Sequence, residues 1–200
     1  DAPSEVAKIL IGQLTAQIYH RSRDPNNGDN HIHVYLYPGF APGVWRVHVS
    51  AEEAHTGRYH AWIERDEECP GCQSHFVADQ AVAKTTTGTI CHAHHAIAVG
   101  AYDLHAADHP LAPFSSSGPT RDGRDIPLVL APGVAVLAAR SAPAGEPAGT
   151  AARVRKSGTS MASPHVSGAI ALLLEADPVL SPEQIRSLVM DGAVHDGIAP

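Results

Sequence analysis

Eleven residues near the C-terminal end set the tightest limit on how this chain folds: Gly158-Thr159-Ser160-Met161-Ala162-Ser163-Pro164-His165-Val166-Ser167-Gly168. They follow a basic, strand-like run, Ala152 to Lys156, and precede an apolar run, Ala169 to Leu174. A proline sits in a helix without breaking a ladder bond only in the first turn, where its missing N–H has no partner to lose. Pro164 therefore predicts a helix with Ser160 at or just before its first residue, ending near Glu175 after roughly four turns. Gly158 allows backbone dihedrals closed to other residues immediately before it. At a helix start the free N–H groups and the positive dipole end favour developing negative charge. A serine there suits acyl transfer, with its own N–H as an oxyanion donor. The plainer reading of the same residues is a serine N-cap on a buried helix.

Upstream the pattern is different. Leu10 to Ile18 is one mildly apolar run that leans towards strand, ended by the turn signal Asp24-Pro25-Asn26-Asn27-Gly28-Asp29-Asn30. Three alternating segments follow: His31 to Tyr37, Val44 to Ser50 and Tyr59 to Arg65. With Pro38-Gly39, Pro42-Gly43 and Thr56-Gly57 between them, they predict an antiparallel meander or half of a jelly-roll sandwich. Trp45, Trp62, Tyr35, Tyr37 and Tyr59 read as core filling for that sheet rather than a binding platform. An acidic turn and a linker then run to about Thr86.

From Thr87 the runs are short and apolar. Ile97 to Ala101, Leu128 to Ala131 and Val134 to Ala139 suit inner strands of a parallel sheet. Ser181-Pro182-Glu183-Gln184 supplies an N-cap, a proline at N1 and a glutamine at N3, so a second helix starts at Pro182. The expected fold is α/β: residues 1–86 mostly antiparallel β, residues 87–200 a parallel sheet with helices that lacks most of its strands.

Composition narrows the function classes. The formal charge is −7, and the only basic cluster is Arg153-Val154-Arg155-Lys156, so nucleic acid has no electrostatic footprint here. No apolar run is long enough to span a membrane. The 14 histidines outnumber the net negative charge, which predicts low solubility around pH 6, where about half of them are protonated. The chain opens at Asp1 with neither methionine nor signal peptide, as a mature or excised piece would.

Residues 158–168 resemble the nucleophile motif of the subtilisin-like serine proteases, G-T-S-M-A/S-x-P-H-V/I-A/S-G, without a gap. Phe114-Ser115-Ser116-Ser117-Gly118-Pro119 resembles that family's F-S-S-x-G-P segment, Ala131-Pro132-Gly133-Val134 its A-P-G-V segment, and Ala96 to Ala101 its V-I-T/A-V-G-A strand. The four stand in the family's order, within about Thr87 to Val194. The resemblance implies a subtilisin-like partial parallel sheet and a serine endopeptidase acting on polypeptides through an acyl-enzyme on Ser160. It also implies Thr159 at the edge of the primary specificity pocket, no cofactor, and a secreted or extracytoplasmic location.

The resemblance is incomplete. A serine hydroxyl needs a base, normally a histidine oriented by a carboxylate. The family's D-S/T-G and H-G-T-x-V-A-G motifs are absent from the sequence, as is its oxyanion asparagine loop. Leu128 stands where the family usually has an aspartate before A-P-G. His165 lies about 140° round the helix from Ser160 and so points elsewhere. The expectation is a C-terminal part of a catalytic domain, inactive without the missing N-terminal half. The alternative is a non-catalytic relative that binds a peptide or partner.

Three cysteines raise a separate question. Cys69, Cys72, Cys91 and His92 have the spacing of a structural zinc site. A Cys69–Cys72 or Cys72–Cys91 disulfide, or free thiols, competes with it and is preferred, so no metal is expected.

Overall fold

The computed structural model describes all residues except 1–3, 12–13, 38, 40–41, 51–52, 54–55, 65–71, 142–144, 146–151 and 195–200. The chain divides into two compact units, Asp1–Gly57 and Arg58–Pro200.

The first unit holds a three-stranded antiparallel meander: β1 (Ser4–Ile11), β2 (Leu14–Arg21) and β3 (His31–Leu36), in that order. The apolar run Leu10 to Ile18 thus straddles two strands rather than forming one. The predicted turn does end β2. Asp24 accepts through Oδ1 from the Asn26 backbone N–H at 3.0 Å, and the Gly28 N–H donates to the Asp24 carbonyl at 2.7 Å. Asx geometry of this kind replaces ladder bonds with side-chain ones and reverses the chain.

The other two alternating segments are corrections. Residues 44–50 and 59–64 form no strand; Arg65 lies outside the described residues. Val44, Val47 and Val49 are 78%, 68% and 63% exposed, so alternation there is not matched by a buried face or a partner strand. The antiparallel sheet therefore lies at Ser4–Leu36, and it is a single three-stranded meander, the first of the two expected forms, rather than half of a jelly roll. Nor do the aromatics fill a core: Trp45, Trp62, Tyr35, Tyr37 and Tyr59 are all at least 46% exposed. Trp62 Nε1 donates instead to the Thr85 carbonyl at 3.0 Å, and Tyr37 Oη to Gln17 Oε1 at 2.8 Å.

In the second unit β4 (Val99–Tyr102) and β5 (Val129–Pro132) pair in parallel, Val99 opposite Val129 and Ala101 opposite Ala131. The helix α1 (Thr159–Ala176) packs on this pair. The core between them is built from Ala101, Ala112, Ala131 and Ala162, flanked by Val99, Val134 and Val166. Small side chains let the helix approach the sheet closely, but they remove little apolar area from water. Among the described residues no large side chain is fully buried.

The run Val134 to Ala139 departs from expectation. Its strand β6 (Val136–Ala139) pairs antiparallel with β7 (Arg153–Lys156), the predicted basic strand, and both are largely exposed. An apolar run alone does not tell an inner parallel strand from an outer hairpin. The helix α2 (Pro182–Asp191) starts with the full capping box: Ser181 Oγ accepts from the Gln184 N–H at 3.3 Å, and Gln184 Oε1 from the Ser181 N–H at 2.8 Å. Its Arg186 Nη1 donates to the Ala96 carbonyl at 3.1 Å, tying α2 to the approach to β4.

The segment up to Thr86 is no free linker. The Thr85 and Thr86 N–H groups donate to the carbonyls of Gly118 and Ser117 at 3.0 and 2.8 Å. Ser117 Oγ donates to the Ala83 carbonyl at 3.0 Å. No helix among the described residues is long and apolar enough to cross a membrane.

Candidate functional site

Ser160 is the second residue of α1, and its side chain is exposed. Ala162, fully buried in the core, and Val166 one turn on define the packed face of the helix. Ser160 lies two residues before Ala162, about 200° round the axis, so helical geometry turns its hydroxyl away from the core. It is not an N-cap. Gly158 occupies that position, at φ +150° and ψ 159°, and no side chain caps the helix. That backbone region is open essentially to glycine alone.

The helix start leaves donors free. The Gly158 N–H donates to the Gly133 carbonyl at 2.8 Å, and the Met161 N–H to the Gly158 carbonyl at 2.9 Å. Among the described residues the N–H groups of Thr159 and Ser160 have no acceptor. Two adjacent amides at the positive end of an 18-residue helix are an arrangement that holds a developing oxyanion. Neither the Thr159 nor the Ser160 hydroxyl is bonded within the described residues, so the Ser160 hydroxyl is open to a partner from outside them.

The other sequence motifs converge on this point. Gly133, in the Ala131–Val134 segment, donates its N–H to the Tyr102 carbonyl at 3.0 Å while its own carbonyl holds Gly158. A Cβ at Gly133 would stand 2.5 Å from Ala101 Cβ and 3.0 Å from the Gly158 carbonyl. Ser115, in the Phe114–Pro119 segment, accepts through Oγ from the Ala101 N–H at 3.0 Å. The Ala112 N–H donates to the Ala101 carbonyl at 2.9 Å. Ser157 Oγ accepts from the Ala135 N–H at 2.9 Å, and Arg155 Nη1 donates to the Ala135 carbonyl at 2.8 Å. Sequence order listed these segments; their mutual bonds were not readable from spacing.

A polar node was missed altogether. The buried Thr120 hydroxyl donates to Asp122 Oδ1, and Arg124 Nε donates to Asp122 Oδ2 at 2.8 Å. These two partners, Thr120 first, hold the Asp122 carboxyl down at about 2. Arg124 Nη2 also donates to the His92 carbonyl at 2.6 Å, and His92 Nε2 meets Thr87 Oγ1 at 2.8 Å. The turn at Thr120–Arg124 thus clamps two loops together.

No histidine among the described residues bonds Ser160. His165 Nδ1 donates to the Met161 carbonyl at 2.9 Å, the local helix contact its position predicts. Of the cysteine set, Cys72 is disulfide-bonded and Cys91 is a free thiol that donates to the Gly88 carbonyl at 2.9 Å. That removes the Cys72–Cys91 alternative and takes the Cys72 sulfur away from any zinc; Cys69 lies outside the described residues. His92 is engaged with Thr87. The described residues hold no group of three or more His, Cys, Asp or Glu placed to bind a metal ion.

Two open hollows flank the β6–β7 hairpin. One, ≈ 430 Å³, is lined by Asp103, His105, Val134, Ala135 and Arg155. The other, ≈ 450 Å³, includes Arg140, Lys156 and Met161.

The chain is 38% identical over 111 residues to serine protease AprX of Bacillus subtilis (strain 168), covering 48% of this chain and 24% of that protein. It is 41% identical over 90 residues to the minor extracellular protease Vpr of the same organism, covering 44% and 11%. With subtilisin-like protease SBT4.13 of Arabidopsis thaliana it shares 46% over 89 residues, covering 42% and 12%. The chain therefore spans about a quarter or less of the length of these relatives. A solved structure, that of a cold adapted subtilisin-like serine proteinase, aligns with 25% identity over 52% of this chain and 32% of the other, at a TM-score of 0.40. The description of the subtilase family, peptidase S8, matches residues 72–199, well over half of the chain, and the chain belongs to that family.

Proposed function

We propose that this chain carries the nucleophile of a subtilisin-like serine endopeptidase, and that the Asp, the His and the oxyanion asparagine come from outside these 200 residues. The observation that carries this reading is the start of α1: an exposed, unbonded Ser160 hydroxyl beside the open N–H groups of Thr159 and Ser160. Ser160 Oγ attacks the scissile carbonyl, a histidine base takes its proton, and the Ser160 N–H stabilises the tetrahedral oxygen. The leaving amine departs protonated, and water then hydrolyses the ester on Ser160. Thr159, half-buried at the first helical position, borders the pocket for the residue that is acylated. Substrates are polypeptides, and the protein acts outside the cytoplasm.

A fluorophosphonate probe tests this. The full-length protein containing this chain is labelled at Ser160, and Ser160→Ala abolishes labelling together with casein cleavage. The present 200 residues, lacking a base, neither label nor cleave. A second reading is a non-catalytic relative that binds peptide. A full-length protein that resists the probe yet retains a peptide would support it.

A further inference from the structure

We propose that His31 and His33 form a chelating pair for a divalent late-transition-metal ion of the Zn²⁺, Ni²⁺ and Cu²⁺ class. Residues two apart on a strand project from the same face. His31 and His33 both lie on β3, and their rings meet edge to face with centroids 4.2 Å apart. Two imidazole nitrogens bound to one ion at about 2.0–2.1 Å stand roughly 3.0–3.4 Å apart. Rings this close reach that spacing by side-chain rotation, with no change in the backbone. The backbone itself is held, because the pairing of β2 with β3 runs from Arg21 opposite His31 to Ala16 opposite Leu36. His31 is exposed and His33 half-buried, so the pair is open to an ion from water.

The nitrogens are in the state a metal needs. Burial, and then the charge of His33, hold the His31 imidazole below the ordinary histidine range, which keeps it neutral with a lone pair to give at pH 7. Asp24 and Arg21, themselves 3.4 Å apart, push that equilibrium in opposite directions. Tyr35 Oη lies 3.2 Å from His33 Nδ1. With Nδ1 engaged there, Nε2 is the atom left for the metal, and the proton on Nδ1 is donated to the phenol oxygen. An outer bond of this kind orients a ligating histidine. Imidazole suits zinc, nickel and copper, whereas Ca²⁺ and Mg²⁺ take oxygen ligands. The described residues bring no third His, Cys, Asp or Glu to the pair, so water fills the other positions on the ion. The result is a surface chelate, not a closed structural centre. His20 stands opposite Ile32 and so belongs to the other face of the sheet, which makes it the control.

Isothermal titration of the 200-residue chain with Ni²⁺ tests the pair, since that ion leaves the free thiol of Cys91 unoxidised. Two ligands joined on one rigid strand bind about a hundredfold tighter than either alone. His31→Ala and His33→Ala therefore each weaken the tightest Ni²⁺ site by about that factor, and His20→Ala leaves it unchanged. If circular dichroism shows that an alanine variant has lost the sheet, His31→Gln and His33→Gln carry the same expectation, because they keep a polar side chain of similar length. A tightest site that neither substitution moves, that only one moves, or that His20→Ala weakens equally overturns the chelate. Displacement of the bound Ni²⁺ by equimolar Ca²⁺ would mark an oxygen site and overturn it as well.

Discussion

The Gly158 backbone N–H is held by the Gly133 carbonyl at 2.8 Å, and that one bond fixes the residue from which α1 departs. Two segments 25 residues apart in sequence thereby place Ser160. Gly133 is pressed against Ala101 on β4, so the sheet, the Ala131–Val134 segment and the helix start form one rigid unit.

Gly133→Ala should disrupt that unit. The added Cβ lies 2.5 Å from Ala101 Cβ, too close to be absorbed without moving backbone. Overpacking of this kind costs about 1–3 kcal/mol. Urea unfolding should show a lower midpoint at unchanged m-value. In the full-length protein, fluorophosphonate labelling of Ser160 should slow as well. An unchanged midpoint would mean that the sheet and helix slide apart freely.

Gly158→Ala tests the backbone rather than the packing. A side chain at φ +150° is strained by about 1–3 kcal/mol whatever room surrounds it. Only Met161 Sδ and Ser160 N come near the added Cβ, both at 3.8 Å, so a loss here isolates conformational strain. Equal stability of the two proteins in thermal melts would refute it.

Ser181→Ala removes half of the capping box at α2, an expected loss of about 1 kcal/mol. Ser181→Thr keeps a hydroxyl and should recover most of it. Amide exchange in residues 183–186 reads the effect directly: faster exchange in the alanine variant alone is the expected pattern.

Asp122 gives a pH signature. Its carboxyl is lowered from 3.8 to about 2 by the Thr120 hydroxyl and then by Arg124. A depressed folded value favours the folded state at pH above 3.8, and that contribution is lost as pH falls through about 2. Carboxyl-detected NMR should show Asp122 titrating last among the acids of this loop. In Asp122→Asn the acid-induced loss of stability between pH 4 and pH 2 should be smaller. A normal titration would contradict the node.

Leu172 is 67% and Leu174 36% exposed on α1, and the core beneath is four alanines. The 200-residue chain should therefore be marginally stable, bind a hydrophobic dye and self-associate with rising concentration. Leu172→Lys should reduce association and shift the unfolding free energy by less than about 0.5 kcal/mol. A soluble monomer with steep cooperative unfolding would overturn this.

Some elements were legible because their causes are local. The apolar run predicted α1, although Pro164 stands at its sixth residue, past the first turn that the proline argument required, and Ser181 to Gln184 predicted α2 with its reciprocal cap. Turn chemistry at Asp24–Asn30 predicted the reversal into β3. Strands fared less well, because a strand exists only through its neighbour. Val44–Ser50 alternates as well as His31–Leu36 does, yet only the latter finds a partner in β2. The same limit hid the antiparallel pairing of β6 with β7.

The sequence by itself determined the family and the start of the helix that carries Ser160. Each depends on residue types at short fixed spacing, where covalent geometry and local hydrogen bonding decide the outcome. Tertiary structure alone decided that Gly133 holds Gly158, that Thr120 and Arg124 clamp Asp122, and that Arg140 and Lys156 share a hollow with Met161. Those are contacts between segments separated by loops, and a chain's order does not encode which of its loops close upon one another.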